Sequence, residues 1–321
     1  MEVHQLQILR ELGELGSVKA VAETLLVTPS AVSQQLALLQ KSVQVPLTRK
    51  DGRNLVLTDA GAVLAKAGAG VVAAMADARA AIGAYHDDEN AEVSVCGFHS
   101  AGQALFAPLA AAVDSSPEPK PRVLFADEDV AQQDFPGLTA RYDVVLAHRM
   151  DHSPPWPTEQ VAVIPLANEP LDVALPDGHR LAAKAHLTPA DVATERWVTS
   201  RPGYSPADVL AAISAVTSTP SNIAHRINDY STAASLVAAG GVLALLPRYT
   251  AGRALAQGSP LQGTLVLRTL KGLNTRRRID ILARPENLKR RSVMAVCERL
   301  QALMVELESK AITGTVAPNI R

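Results

Sequence analysis

Apolar positions in the first sixty residues recur at helical spacing and are separated by short polar turns. Val3, Leu6, Leu9 and Leu12 predict a helix from about Val3 to Leu15. Ser17 stands where it can cap a second helix, whose buried stripe is Val18, Val21, Ala22 and Leu25. Thr28 and Pro29 predict the start of a third: a hydroxyl cap, then proline at the first helical position, where its missing N–H costs nothing. Val32, Leu36, Leu39 and Val43 form its buried face, and Ser30, Ser33, Gln34, Ala37 and Lys41 its outer one. That outer face is short, polar and almost free of acid. Next comes Arg49-Lys50-Asp51-Gly52-Arg53-Asn54, a basic, glycine-containing tip between extended segments, which predicts a hairpin.

From Thr58 to Asp87 the pattern is one long helix, with Thr58 as cap and Asp59 suited to the positive end of the helix dipole. Leu64, Ala67, Val71, Ala74, Ala78, Ala81 and Tyr85 repeat at alternating threes and fours. This is a heptad seam of roughly 45 Å, mostly alanine, open to close approach by another helix. Gly68 and Gly70 each cost about 1 kcal/mol inside a helix, which a lone solvent helix could not offset. Pairing with the same helix of a second chain would offset it; packing on its own chain is the other reading.

His86-Asp87-Asp88-Glu89-Asn90 reads as a polar hinge, and beyond it the period changes. Short β-type runs at Val93–Phe98, Arg122–Ala126, Asp143–Ala147, Leu171–Leu175, Trp197–Thr199, Ile223–Ile227, Val242–Leu246 and Ile279–Ala283 alternate with amphipathic helices at Gln103–Val113, Pro206–Val216 and Ser231–Ala239. The pattern predicts an α/β region with a largely parallel sheet. It is long enough for two lobes, with crossovers near Pro165–Glu169 and Gly263–Arg268, so that the second lobe is inserted in the first. A final helix from about Pro285 to Glu308 returns to the first lobe, and a loose tail follows from Thr313.

Composition adjusts this picture. The chain has 321 residues, 47% hydrophobic and 20% charged, which suits a small domain plus a larger one. No apolar run reads as long and uninterrupted enough to span a membrane, and the N-terminus is acidic-amphipathic rather than signal-like, so the cytoplasm is the expected location. Cys96 and Cys297 give no disulfide framework. Phosphate loop, nucleophile elbow, HExxH and CxxC patterns are all missing, so neither an enzyme nor a bound cofactor or metal is expected. The net charge is −1, so positive charge available to a nucleic acid is local rather than global.

The second and third helices meet across only a few residues, hence at a sharp angle, with the third in the recognition position of a helix-turn-helix. Short hydroxyl and amide side chains reach base edges and phosphates without holding a helix off the groove. The candidate DNA contacts are Ser17, Lys19, Thr28, Pro29, Ser30, Ser33, Gln34, Lys41, Arg49, Lys50 and Arg53. An ordinary helical bundle would share the helix pair, but not the ordered set of capped polar helix, basic hairpin and long following helix.

Gly16, Ser17, Ala20, Ala22, Leu25, Ala31-Val32-Ser33, Gln35, Leu36, Leu39, Leu47, Arg49, Arg53, Leu57-Thr58 and Ala60-Gly61 resemble the winged-helix signature of LysR-type transcriptional regulators. The chain departs from it at Gln40 (usually Glu), Gln44 (usually Gly) and Thr48 (usually Phe), and its proline comes one place early. Glu169-Pro170-Leu171, Leu175-Pro176-Asp177-Gly178-His179 and Leu236–Pro247 resemble the same family's effector domain. The resemblance implies an all-α winged helix-turn-helix domain at 1–58 and a dimerisation helix and hinge at 59–90. A two-lobed α/β domain of the type 2 periplasmic-binding-protein kind follows at 91–312, with lobe I at 91–164 and 268–312 and lobe II at 165–267. It implies a homodimer through the 58–87 helix, pairing again to a homotetramer, on a pseudo-palindromic double-stranded site. A small, anionic effector between the lobes would modulate binding.

In open α/β lobes ligands sit at the carboxyl ends of strands. Ser100, after the first strand, lies where the resemblance places a hydroxyl that grips an effector carboxylate, and His99 beside it could add a donor or a cation. His148 and Arg149 follow the third strand; Thr199, Ser200 and Tyr204 close the opposite edge, with Thr232 near a helix start. Arg276-Arg277-Arg278 reads as a solvated turn. Two alternatives remain: a thiol-gated regulator of this architecture using Cys96 and Cys297, and a winged helix fused to an enzyme.

Overall fold

The computed structural model describes residues 1–52, 54–83, 92–115, 121–250, 261 and 263–314; the side chains of 79–81, 83 and 312–314 are not described. Helices α1 (Val3–Leu15), α2 (Val18–Thr24) and α3 (Pro29–Lys41) close around Leu9, Leu12, Val21, Val32 and Leu39, all nearly fully buried. The expected caps form: Ser17 accepts from the Ala20 N–H and Thr28 from the Ala31 N–H, each at 3.1 Å. The turn between α2 and α3 puts Leu26 at φ 53°, an uncommon conformation for a bulky residue. Strands β1 (Thr48–Asp51) and β2 (Asn54–Leu57) pair antiparallel as the hairpin, with Gly52 at φ 59° in its tip.

Helix α4 runs Asp59–Gly83. Thr58 caps it, accepting from the Gly61 N–H and donating to the Pro46 carbonyl at 2.6 Å, so the hairpin and the long helix share one hydroxyl. A Cβ on Gly61 would lie 2.0 Å from the Leu47 carbonyl oxygen, and one on Gly68 3.0 Å from the Leu6 side chain. Both glycines therefore serve close packing within the chain. Contrary to the sequence expectation, Asp59–Ala78 is apolar and long enough to cross a membrane by length and composition, at mean hydropathy 1.3. Its apolarity is mostly alanine, however, and Lys66 within it pairs with Glu159 of the following domain.

The larger domain holds a nine-stranded mixed sheet. In chain order its elements are β3 (Glu92–Gly97), α5 (His99–Asp114), β4 (Arg122–Asp127), α6 (Phe135–Leu138), β5 (Val144–Met150), β6 (Ala162–Pro176), α7 (Pro189–Val192), β7 (Arg196–Thr199), α8 (Ser205–Thr217), β8 (Asn222–Arg226), α9 (Tyr230–Ala238), β9 (Leu243–Pro247), β10 (Leu265–Arg268), β11 (Arg276–Ala283) and α10 (Arg291–Gly314). The spatial order is β4-β3-β5-β11-β6-β9-β7-β8, with β10 also on β6. Pairing is parallel within β4-β3-β5 and β8-β7-β9, but antiparallel wherever β6 or β11 takes part. The sheet is thus mixed rather than largely parallel. The reason is that both crossovers are themselves strands: β6 leaves lobe I and β11 returns to it.

The first crossover falls near Asn168–Leu171, where β6 exchanges β11 for β9. The second falls later than expected, after Leu270 and before Arg276, because Leu265–Arg268 still pairs with β6 in lobe II. The final helix reaches Gly314, past the expected start of the tail. Phe98, Leu105, Leu146, Ile281 and Val296 centre the lobe I core; Leu171, Trp197, Leu210 and Leu245 centre that of lobe II.

Gly61→Ala is expected to destabilise the N-terminal domain by about 1–3 kcal/mol, the cost of forcing atoms into a packed contact. Calorimetry of the full chain would show it as an early transition, while an unchanged melting curve would mean that α4 can shift away from Leu47 at no cost.

Candidate DNA interface and effector cleft

Helix α3 buries Val32, Leu36 and Leu39 and leaves Thr28, Pro29, Ser30, Ser33, Gln34, Ala37 and Lys41 exposed. Gln35, between the two faces, is held inward: its Oε1 lies 2.8 Å from His4 Nε2 and accepts from Gln5 Nε2 at 3.2 Å. Gln34 makes no such contact among the described residues and stands on the outer face. Arg49 and Lys50 are exposed on β1, and Lys19 on α2 pairs with Glu23 one turn on. Ser17 is half-buried as a cap, and Arg53 lies outside the described residues. Gln40 explains one departure from the family pattern. Its Oε1 accepts from the Leu47 N–H at 2.8 Å while its Nε2 donates to the Val45 carbonyl at 2.9 Å. A glutamate could only accept, so the amide fixes both sides of the connection into the hairpin.

The second candidate site is the cleft between the lobes, and its centre is a residue read from sequence as solvated. Arg277 is fully buried, with its Nε and Nη2 donating to Glu169 Oε2 at 3.0 and 2.7 Å. Its Nη2 also reaches Thr250 Oγ1 at 2.9 Å and Ser100 Oγ at 3.1 Å. The guanidinium lies between the rings of Phe98 and Tyr230, 5.0 and 5.7 Å from their centroids. Glu169 Oε1 takes the backbone N–H groups of Tyr249 and Thr250, both at 2.6 Å. The donors of the cleft therefore converge on the chain's own carboxylate. Arg276 is exposed and Arg278 half-buried, because alternate residues of a strand face opposite sides. Hydrophobic patterning starts this strand only at Ile279, and so misses Arg277 together with Glu169, Thr250 and Tyr230.

Ser100 sits where expected, at the end of β3, but it does not cap the helix: the cap position is Phe98. His148 is buried and reaches across the cleft, its Nδ1 3.1 Å from Ser205 Oγ. Burial, and then the charge of Arg277, hold its pKa well below the usual value, so it is a neutral imidazole packed edge-on against Phe98 and Phe135. Arg149 does not face the cleft; it points to the opposite side of β5, over the Trp156 ring. Ser200 is buried and accepts from the Ala207 N–H at 3.1 Å. Thr199 Oγ1 is buried with no hydrogen-bond partner among the described residues. Thr232 is exposed, its N–H and hydroxyl both bonded to Asp229 at 2.7 Å.

The lobes are closed on one another at the cleft mouth. Asp129 of lobe I takes Arg201 and Asn228 of lobe II, each at 2.8 Å, and its carbonyl accepts from Tyr204 at the same distance. Gln132 donates to Asp208 at 2.6 Å while accepting from the Met150 N–H at 2.7 Å. His99 spans the two lobes, with Nδ1 3.0 Å from Asp127 and Nε2 2.8 Å from Asp229. Burial alone would lower its pKa; the hydrogen bond and charge of Asp127, joined by Asp229, outweigh that and raise it.

Residues 3–62 match the model for the bacterial regulatory helix-turn-helix protein, lysR family, and residues 86–304 match the LysR substrate binding domain. The chain belongs to the LysR family of transcriptional regulators. It is 26% identical over 250 residues to the uncharacterized regulator YybE of Bacillus subtilis, covering 77% of this chain and 82% of that one. It is 28% identical over 261 residues to the regulator CbbR of Xanthobacter flavus, covering 80% and 75%. Among solved structures, a full-length cysteine variant of OxyR from Pseudomonas aeruginosa superposes with a TM-score of 0.64 at 16% identity, over 95% and 94% of the two chains. CbnR complexed with its target DNA superposes with a TM-score of 0.50 at 18% identity, over 95% and 100%.

This LysR-family chain is a DNA-binding transcriptional regulator with an effector-type second domain. Its two thiols do not favour the redox alternative. Cys96, on β3, and Cys297, in α10, are both buried, and burial pushes each pKa up to about 12. A thiol held neutral is a poor nucleophile toward an oxidant.

Arg277→Met leaves the Glu169 carboxylate buried without its cation, and is expected to cost about 3–5 kcal/mol. Adding Glu169→Leu should return much of that; a double variant no more stable than the single one, by urea denaturation, would contradict the pairing. For His99, the folded pKa lies above the ordinary 6.5, so its contribution is full below that pH and is lost as pH rises through the raised value. Urea midpoints followed across this window should fall more steeply for the wild type than for His99→Gln, in which the buried Glu11 and Glu14, raised to about 8 and about 7, still titrate there.

Proposed function

We propose that this regulator binds a pseudo-palindromic double-stranded DNA site as a homodimer, with α3 in the major groove and the β1-β2 hairpin on the flanking backbone. The observation that carries the reading is the acid-free exposed face of α3, with Arg49 and Lys50 exposed beside it. The complex of CbnR with its target DNA, on the same fold, supports it. The dimer rests on α4: Ala67, Val71, Ala74 and Ala78 of the expected seam are exposed, and Val63, Met75 and Ile82 add large apolar side chains to its open surface. Leu64, the first residue of that seam, is half-buried against the N-terminal core, while the Ala81 side chain and Tyr85 lie outside what the structure describes. A further pairing into tetramers through the effector domains is part of the same proposal, as is action in the cytoplasm, where the DNA is.

The effector site of this reading is the cleft. A small molecule with a carboxylate or similar anion would compete with Glu169 for Ser100, Thr250 and Arg277, and would change lobe closure and so the spacing of the two recognition helices. The reading assigns the chain no catalytic step, cofactor or metal.

In a binding assay against a panel of operator variants, Gln34→Ala is expected to relax sequence preference, while Lys50→Ala weakens all sequences alike and flattens the salt dependence. Equal loss on every sequence for Gln34→Ala would argue against base reading by α3. A thermal-shift screen of small carboxylates, repeated with Ser100→Ala, tests the cleft: a ligand that stabilises only the wild type places the effector there.

A further inference from the structure

Strand β5 presents consecutive residues to two different places. His148 faces the cleft, and Arg149 faces a cavity of about 930 Å³ on the other side. This cavity lies where three parts of the chain meet: α1 and α4 contribute Arg10 and Lys66, lobe I contributes Arg149 and Trp156, and lobe II contributes Asp208. Its volume is in the range of sites that enclose small organic ligands.

Most of the charge in its wall is already matched. Lys66 pairs with Glu159, Arg10 with Glu286 at 2.8 Å, and Glu14 with Arg284 at 2.6 Å. Among the described residues Asp208 meets only the neutral Gln132 amide. Arg149 is the cation of this wall without a counter-charge. Its Nη1 donates to the Ser153 carbonyl at 2.9 Å, but no carboxylate pairs with it among the described residues, and its Nε is buried without a hydrogen-bond partner. The guanidinium lies 5.9 Å from the centroid of the Trp156 ring. That ring is held in place: its Nε1 donates to the buried Asp280 at 2.7 Å, and it packs edge-on against Phe135. A rigid guanidinium lacking an anion, beside a fixed aromatic plate in a half-open cavity, is suited to a planar molecule that carries a negative group.

We propose that this junction cavity is a second ligand site, for a small planar molecule bearing a carboxylate or a phosphate, with Arg149 as the anion contact and Trp156 as the surface for the ring. The ligand would touch the DNA-binding domain and both lobes at once. Its occupancy would therefore act on their relative placement without passing through the cleft, and the proposal does not depend on the cleft reading.

The test is a fluorescence titration of the full chain with benzoate and, separately, with adenosine monophosphate. Trp156 reports from the cavity wall, while Trp197, buried in the lobe II core, gives a steady background. Saturable quenching by either probe is expected. Benzoate alone would identify a carboxylate ligand, and the nucleotide alone a phosphate. Arg149→Gln is expected to weaken binding by about tenfold or more, as loss of a charge-assisted contact does, and Ser100→Ala to leave it unchanged. The neutral analogues benzamide and adenosine, titrated into the wild type, supply the same comparison with no variant that could misfold. The proposal is overturned if neither probe saturates, if the neutral analogues bind as tightly as the anions, or if Ser100→Ala abolishes the quenching, which would move the ligand to the cleft.

Discussion

The ion pair of Arg277 and Glu169 is the constraint around which the effector domain is arranged. Taking two charges out of water costs several kcal/mol each, and their attraction repays this only if the remaining hydrogen-bonding capacity is also met. Here it is met from every side. Glu169 and Arg277 belong to the crossover strands β6 and β11, Ser100 to lobe I, and Thr250 and Tyr230 to lobe II. Opening the lobes would pull Ser100 away from Arg277 and Thr250 while those groups stay deep in the protein. The closed arrangement thus follows from hydrogen-bond satisfaction, and His99, Asp129 and Gln132 reinforce it at the mouth. An anionic effector of the proposed kind would have an existing carboxylate to displace, so its affinity would be a difference between two similar sets of contacts.

The same strand that carries Arg277 reaches the other functional parts of the chain. Asp280 of β11 holds the Trp156 indole at the junction cavity. Arg284, one residue past the end of β11, donates to Glu11 at 2.7 Å and to Glu14 at 2.6 Å on α1. Arg10 returns the contact to Glu286. From Arg277 to Arg284 is roughly 23 Å of extended chain, at about 3.3 Å per residue, and β11 lies between β5 and β6 at the centre of the sheet. Under the proposed function, a displacement at the cleft would have a buried strand through which to act on the winged helix.

Much of this is readable in the sequence where the determinants are local. The caps of Ser17 and Thr28, the buried stripe of α3 and the glycine in the hairpin tip act within a few residues, and periodicity reports them. The strands are legible for the same reason. What stays hidden depends on pairing across the chain. Two prolines, Pro165 and Pro170, and the polar Asn168-Glu169 between them look like a break, yet all lie within β6 because β11 and β9 take over from one another as its partners. Three consecutive arginines look like a solvated turn, and only strand alternation against a buried glutamate separates Arg277 from its neighbours. Position after the third strand suggests the cleft for Arg149 as well as His148, although adjacent strand residues cannot share a face.

Charge shows most clearly why a chain-wide average misleads. The N-terminal domain carries nearly as many acids as bases, a balance poorly suited to a polyanion. The structure places two of those acids, Glu11 and Glu14, against Arg284 of the other domain. Arg10 is engaged on the same side, so these two acids lie where the domain docks onto lobe I. Lys41, Arg49 and Lys50 are exposed with no ion-pair partner among the described residues. These cations face outward beside α3, while at the domain junction burial pushes the Glu11 and Glu14 carboxyls up to about 8 and about 7, which weakens their negative charge. A near-neutral domain therefore presents a basic surface to DNA. Because that surface is small, a single copy is left with modest, salt-sensitive affinity, and the proposed pairing of two copies through α4 would raise it by effective concentration without any new contact to DNA.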